Sequence, residues 1–239
     1  MRLDRLLGSL GIASRSGARD MIRQGRVRVD GVIVRDNAAN VEEGCDLIVD
    51  GVQVDTRLER HVMMNKPVGV LTAARDTRAA TVLDLLPPIY RACGCMPVGR
   101  LDKDTEGLLL FTTDGQMAHR LLAPSSQVEK EYVAQVTGQL TPQDVQAFAE
   151  GIELKDFTAL PARLTILSAQ AEQSIARVVV TEGKFHQVRR MFAARNHEVT
   201  ALQRVRFGPL LLDAGLAPGQ YRELSTEEVQ LLLESVGRK

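Results

Sequence analysis

Val27-Arg28-Val29-Asp30-Gly31-Val32-Ile33-Val34 permits few local structures. Two runs of strand-forming residues flank an Asp-Gly pair. Asp-Gly supplies the two positive φ angles of a type I′ turn, so the spacing predicts a tight β-hairpin. Leu47-Ile48-Val49 runs into Asp50-Gly51 as another strand-like segment. Upstream, Leu3, Leu6, Leu7 and Leu10 recur at helical spacing. Ser14 is placed to cap a helix over residues 15–24, with Ala18, Met21 and Ile22 on one face and Gly25 as its stop. The N-terminal segment therefore reads as two short helices and a hairpin.

A polar stretch, Asp55-Thr56-Arg57-Leu58-Glu59-Arg60, reads as a linker. It divides the chain into residues 1–58 and 59–239. The second part mixes strand and helix signals. Strands are predicted at 62–64, 108–111, 132–136, 164–167, 175–180 and 199–207. Asp114 caps a helix through Leu122, and Pro124 follows it. Thr141-Pro142 opens a helix that Gly151 ends. Phe185, Val188 and Phe192 mark a basic helix ending near Asn196, and Ser225-Thr226-Glu227-Glu228 is a capping box for a last helix. Strands and helices do not alternate regularly, so the expected class is α+β with a mixed or antiparallel sheet.

Charge and composition narrow the function. Lys plus Arg balance Asp plus Glu, 30 against 30, so a nucleic-acid binder of this kind needs local basic patches. Arg2, Arg5, Arg15, Arg19, Arg23, Arg26, Arg28 and Arg35 face only Asp4, Asp20 and Asp30 in the first segment. Lys184, His186, Arg189, Arg190, Arg195, His197, Arg204 and Arg206 form a second patch. Aromatic residues make up 4% with no Trp, which argues against sheet-borne stacking platforms. No apolar run approaches the ~20 residues of a membrane span, and the N-terminus is too charged for a secretory signal. Three cysteines suggest reduced thiols and the cytoplasm. Cys93-x-Cys95 lacks a second ligand pair, and His61 and His119 show no ligand spacing, so no metal is expected.

Val98-Gly99-Arg100-Leu101-Asp102-Lys103-Asp104-Thr105-Glu106-Gly107 runs straight into apolar Leu108-Leu109-Leu110-Phe111. Asp102, Asp104, Glu106 and Gly107 imitate the start of a calcium loop, but Thr113 stands where a bidentate Glu belongs. A solvated charge run is the ordinary reading. Asp102 departs from it: between two glycines, at the mouth of a buried strand, its carboxylate is expected to be half-buried and to need a cation or hydrogen bonds.

This stretch resembles the active-site motif of pseudouridine synthases that modify single uridines in ribosomal RNA: Gly-Arg-Leu-Asp, two free positions, Thr or Ser, one free position, then Gly-Leu-Leu. Asn65-Lys66-Pro67-x-Gly69 is similar to the branch's early motif. Glu129-Lys130-Glu131-Tyr132 is similar to its tyrosine motif. Residues 182–192, from Glu182-Gly183-Lys184-Phe185-His186-Gln187 to Arg189-Arg190-Met191-Phe192, are similar to its late basic motif. Residues 1–58 resemble the RNA-binding domain first seen in a small-subunit ribosomal protein.

The resemblance implies an isomerase. A C–N glycosidic bond breaks, the uracil turns, and a C–C bond forms, with no cofactor consumed. Asp102 is implied as the reacting carboxylate, acting as nucleophile or as base. Arg189 is implied as its charge partner, against a reading in which it only touches phosphate. Tyr132 is implied to stack on the target base, against a reading as strand core. Arg100 wedges or orients the flipped nucleotide. Asp104 and Glu106, at free positions, are read as surface charges. Lys66 reads equally as a phosphate ligand or a merely exposed lysine, and His186 as a helix residue or an RNA contact. Arg15, Arg19, Arg23, Arg26, Lys130, Lys184 and Arg190 complete the expected RNA-binding set. The partner is expected to be ribosomal RNA or its assembly particle, and the protein a monomer. Phe185-His186 favours the small-subunit branch, since large-subunit relatives carry Asn-Arg there. Large-subunit RNA is the alternative substrate, and a noncatalytic RNA-binding assembly factor the alternative class.

Overall fold

The computed structural model describes residues 1–42 and 44–237. Near the N-terminus, α1 (Leu3–Ser9) and α2 (Arg15–Arg23) pack on a four-stranded antiparallel sheet. Its strands are β1 (Val27–Val29), β2 (Val32–Ile33), β3 (Leu47–Val49) and β4 (Val52–Val54), ordered β2-β1-β3-β4. The expected Asp30-Gly31 turn forms, with φ of 47° and 81°, and Asp50-Gly51 makes a second turn of the same kind, with 51° and 82°. The Ser14 hydroxyl accepts from the Gly17 N–H at 3.2 Å, which caps α2. Leu3, Leu6, Leu7, Ile22, Val27 and Leu47 make a small core of their own.

The rest is built on a nine-stranded mixed sheet. In chain order it comprises β5 (His61–Lys66), α3 (Pro88–Ala92), β6 (Met96–Pro97), β7 (Glu106–Thr112), α4 (Gly115–Leu122), β8 (Lys130–Thr137), α5 (Pro142–Glu150), β9 (Ile152–Glu153), β10 (Thr158–Ala159), β11 (Arg163–Ala169), β12 (Gln173–Val180), α6 (Gln187–Ala193), β13 (Val199–Phe207), β14 (Leu210–Leu211), β15 (Tyr221–Glu223) and α7 (Thr226–Gly237). The strand order is β11-β12-β8-β13-β7-β5-β15, with β14 on β13, β6 on β7, and β9 pairing β10 apart. Only β13 and β7 pair in parallel among the described strands. This is the expected α+β class.

Strand alternation builds a core on each face. Val62, Met64, Leu109, Phe111, Ala134 and Val178 point one way, against Phe148 of α5 and Phe192 of α6. Met63, Leu108, Leu110 and Phe207 point the other way, against Met117 and Leu121 of α4 and Leu232 of α7. Central β7 is covered on both faces, which is why 108–111 is continuously apolar.

Two local expectations need correction. The basic helix starts at Gln187, so Phe185 and His186 precede it; His186 takes a left-handed φ of 49°. The polar stretch 55–60 is not a loose linker. Arg60 is buried and pairs with Asp55 and Glu223, and Arg57 reaches the same two carboxylates. None of the described helices is long and apolar enough to cross a membrane.

Candidate active site

The loop between β6 and β7 carries Asp102, and five consecutive carbonyls of this loop are held from outside or across it. Leu101 O accepts from Thr72 Oγ1 at 2.7 Å, and Thr72 Oγ1 accepts back from Leu101 N at 3.2 Å. Asp102 O accepts from Lys66 Nζ at 3.1 Å and from the Thr105 N–H at 3.1 Å. Lys103 O accepts from the Gly69 N–H at 2.7 Å. Asp104 O accepts from Arg189 at 3.0 Å, and Thr105 O from Lys66 Nζ at 2.9 Å. A backbone with this many fixed carbonyls cannot drift, so the Asp102 side chain leaves it in one direction.

Gly107 lets β7 begin where it does. Its φ is 103°, and a Cβ there would lie 2.3 Å from Arg204 O on the parallel neighbour β13. Only glycine allows this approach of two backbones.

Lys66 is fully buried, and its ammonium donates to Pro67 O at 3.0 Å besides Asp102 O and Thr105 O. Neither a phosphate-binding nor an exposed lysine describes it; the ammonium is spent on the Pro67 carbonyl and on the loop. Burial pushes the amine down to about 8, against the opposing pull of Asp102, Asp104 and Glu106. Lys130 is corrected likewise. It is buried, donates to Val128 O at 2.9 Å and Thr181 O at 3.1 Å, and is lowered to about 8 by burial and then by Arg204. Neither amine is presented to RNA.

Asp102 is half-buried, with 30% of its side chain exposed, and lines a cleft of about 230 Å³. Arg100, Tyr132, Lys184, Phe185, His186 and Arg189 contribute to the cleft wall. Tyr132 belongs to the core and also faces the cleft, at 9% exposure. The core reading of Tyr132 therefore holds, and the residue also lines the cleft.

The side chain beside Asp102 differs from the expected one. His186 Nε2 lies 3.5 Å from Asp102 Oδ1. Arg189 lines the same cleft but donates to Val199 O at 2.9 Å and pairs with Asp104 Oδ2 at 3.1 Å. Asp104, read as a surface charge, is 61% exposed and is also Arg189's partner. The physical reason is placement: Arg189 lies in the first turn of α6, where its two terminal nitrogens reach the carbonyls of Val199 and Asp104, while its buried Nε has no partner among the described residues.

In the N-terminal domain, Arg19 pairs with Asp4, Arg23 with Asp20 and Arg26 with Asp50, while Arg15 is exposed with no acidic partner among the described residues. Lys184 pairs with Glu182 and Arg190 with Asp156. Five of the ten expected RNA-contacting residues, Arg19, Arg23, Arg26, Lys184 and Arg190, therefore have a local carboxylate partner. Thr72 and Gly69 were not singled out as site residues. Thr72 lies in an irregular segment with no periodicity to mark it, and Gly69 counted only as part of a motif. No group of three or more potential metal-ligating side chains occurs among the described residues.

Comparison with known proteins agrees with this geometry. The family model for RNA pseudouridylate synthase matches residues 60–194, and that for the S4 domain matches residues 1–47. A Bacillus subtilis (strain 168) protein named uncharacterized RNA pseudouridine synthase YtzG is 41% identical, covering 98% of this chain and 99% of its own. The ribosomal small subunit pseudouridine synthase A of Pseudomonas aeruginosa is 38% identical, covering 96% and 99%. The ribosomal large subunit pseudouridine synthase B of Bacillus subtilis is 36% identical, covering 97% and 95%. A crystal structure of a pseudouridylate synthase superimposes with a TM-score of 0.67 at 31% identity, covering 97% and 99%. With a family match over more than half the chain and relatives along nearly all of it, this chain belongs to the RNA pseudouridine synthases and carries an S4 domain at its N-terminus.

Proposed function

We propose that the chain converts a specific uridine of small-subunit ribosomal RNA to pseudouridine, with Asp102 as the reacting carboxylate. Residues 1–58 dock the RNA, and residues 59–239 carry out the chemistry, in the cytoplasm. The observation that carries this reading is the Asp102 loop: a half-buried carboxylate lining a cleft, on a backbone whose carbonyls are fixed from Leu101 to Thr105.

The target uridine is flipped out of the RNA, at a cost of about a few kcal/mol. Asp102 meets the ribose or uracil C6, the N1–C1′ bond breaks, the uracil turns, and C5 bonds to C1′. The C5 proton passes to solvent and N1 is reprotonated, so the reaction is a net isomerisation. Tyr132 stacks on the base from the packed side of the cleft. Arg189 contributes by anchoring the loop at Asp104 rather than by pairing with Asp102. Exposed Arg100, with no acidic partner among the described residues, is free to meet the displaced strand. Small-subunit RNA is favoured by Phe185-His186 and by the small-subunit name of a 38% identical relative; the 36% identical large-subunit relative supplies the competing substrate.

The experiment pairs tritium release from C5-labelled uridine in each ribosomal RNA with a binding titration. Wild type should release tritium from small-subunit RNA. Asp102→Asn keeps the shape but cannot ionise, so it should bind RNA and release none. Release by Asp102→Asn would overturn the role of Asp102; release by wild type from large-subunit RNA alone would overturn the substrate.

A further inference from the structure

Phe185 differs from four of the other five phenylalanines. Phe111, Phe148, Phe192 and Phe207 are within 1% of complete burial, whereas Phe185 is 72% exposed. It forgoes the transfer free energy that those four gain. It is not a loose surface ring. Phe185 stacks on the His186 imidazole with centroids 3.9 Å apart and planes at 17°. His186 holds a left-handed backbone, with φ of 49°, at the head of α6. A non-glycine residue in that region is uncommon and clusters at functional sites. The imidazole in turn reaches Asp102 at 3.5 Å. Two flat rings thus rise from the carboxylate in sequence, and the outer one ends in a free face at the rim of the cleft.

We propose that the free face of Phe185 is a subsite for a nucleobase adjacent to the reacting uridine. The inference rests on Asp102 marking where that uridine reacts. Flipping one nucleotide out of a strand leaves its neighbour with an uncovered face. An aromatic ring one stacking layer beyond the imidazole that touches Asp102 covers that face again. Every base has a π surface, so the contact tolerates sequence, while Arg100 at the same cleft supplies positive charge for the phosphate between the two nucleotides. The low aromatic content excludes a sheet of stacking platforms but not one ring on a helix-capping turn.

The chain contains no tryptophan, so Phe185→Trp installs a single emitting indole. The position is exposed, so the larger ring needs no core space. The RNA is whichever ribosomal RNA the wild type modifies in the tritium assay. A failed small-subunit assignment therefore changes the RNA and leaves this test intact. Binding is followed separately by filter retention. The expected result is quenching of the indole in step with binding, lost when the bases flanking the target uridine are replaced by abasic sites. Phe185→Tyr should bind as the wild type does, and Phe185→Leu about 5- to 150-fold more weakly, the range for loss of one base–aromatic stack. RNA binding with unchanged indole emission, or Phe185→Leu binding as tightly as wild type, would overturn the subsite.

Discussion

A single buried lysine organises the residues around Asp102. The ammonium of Lys66 donates to carbonyls at Pro67, Asp102 and Thr105, and so ties the end of β5 to the loop that presents the carboxylate. Lys66→Met retains most of the volume and orphans those acceptors. Lost hydrogen bonds to a charged group cost roughly 1.5–3 kcal/mol, offset in part because the buried charge is gone as well. The expected outcome is a lower urea midpoint and a fall in single-turnover rate larger than the fall in RNA affinity, because the loop positions chemistry and not phosphate. Unchanged stability and rate would mean that Thr72 and Gly69 hold the loop without Lys66. The identity of Lys66 was visible in the sequence, but its burial was not. Its ammonium is enclosed by carbonyls of a loop more than 30 residues later, which no local pattern around Lys66 announces.

Among the elements, the pairing of β7 with β13 sets the position of the loop, and Gly107 permits it. Gly31 and Gly107 both have positive φ, but a Cβ at Gly31 meets open space, whereas one at Gly107 meets the Arg204 backbone. Gly31→Ala should therefore cost about 1–2 kcal/mol for the left-handed backbone alone. Gly107→Ala should cost about 1–3 kcal/mol more for overpacking and should also depress turnover. Equal losses in paired urea titrations would show that β13 yields freely. Elements whose causes are local were legible beforehand. Asp30-Gly31 turns as read, Asp114 caps α4 by accepting from Gln116 and Met117, and Thr141 with Asp144 closes a capping box on α5. Phe185 misled because it shares a helical period with Val188 and Phe192, while the turn at His186 stops the helix short of it. The place of β13 between β8 and β7 had no local signal, since it follows from which apolar faces are left to cover.

Across the whole molecule, the stretch read as a linker is a staple. Arg60, 4% exposed, donates to Asp55 at 3.2 Å and to Glu223 at 2.7 Å, and Tyr90 donates to Glu223 at 3.2 Å. Glu223 lies on β15 and Tyr90 on α3. Ile89 and Cys93 beside Tyr90 pack on the N-terminal core, and Gly11 faces Ala92 so closely that a Cβ would lie 2.6 Å away. The S4 domain and the catalytic sheet are thus held through α3 and one carboxylate cluster. Burial raises the Glu223 carboxyl, but Arg60 and Arg57 overcome that and hold it below its ordinary 4.5; Arg57 holds Asp55 below its usual range as well. A folded-state pKa below the unfolded one contributes stability above the unfolded value, lost as pH falls through the folded one. Glu223→Gln leaves Arg60 buried without a full counter-charge, and should cost roughly 1–3 kcal/mol at neutral pH. The gap between wild type and Glu223→Gln should be full at neutral pH and close as the pH drops below about 4.5, because the protonated wild-type side chain then resembles the amide. Trypsin should cut after Arg57 or Arg60 in the variant sooner than in the wild type, since the same cluster shields both. Urea titrations at neutral and acid pH read the gap, and the cleavage pattern locates it. A gap that does not change with pH, together with unchanged cleavage, would mean that apolar contacts at Ile89 and Ala92 orient the S4 domain unaided.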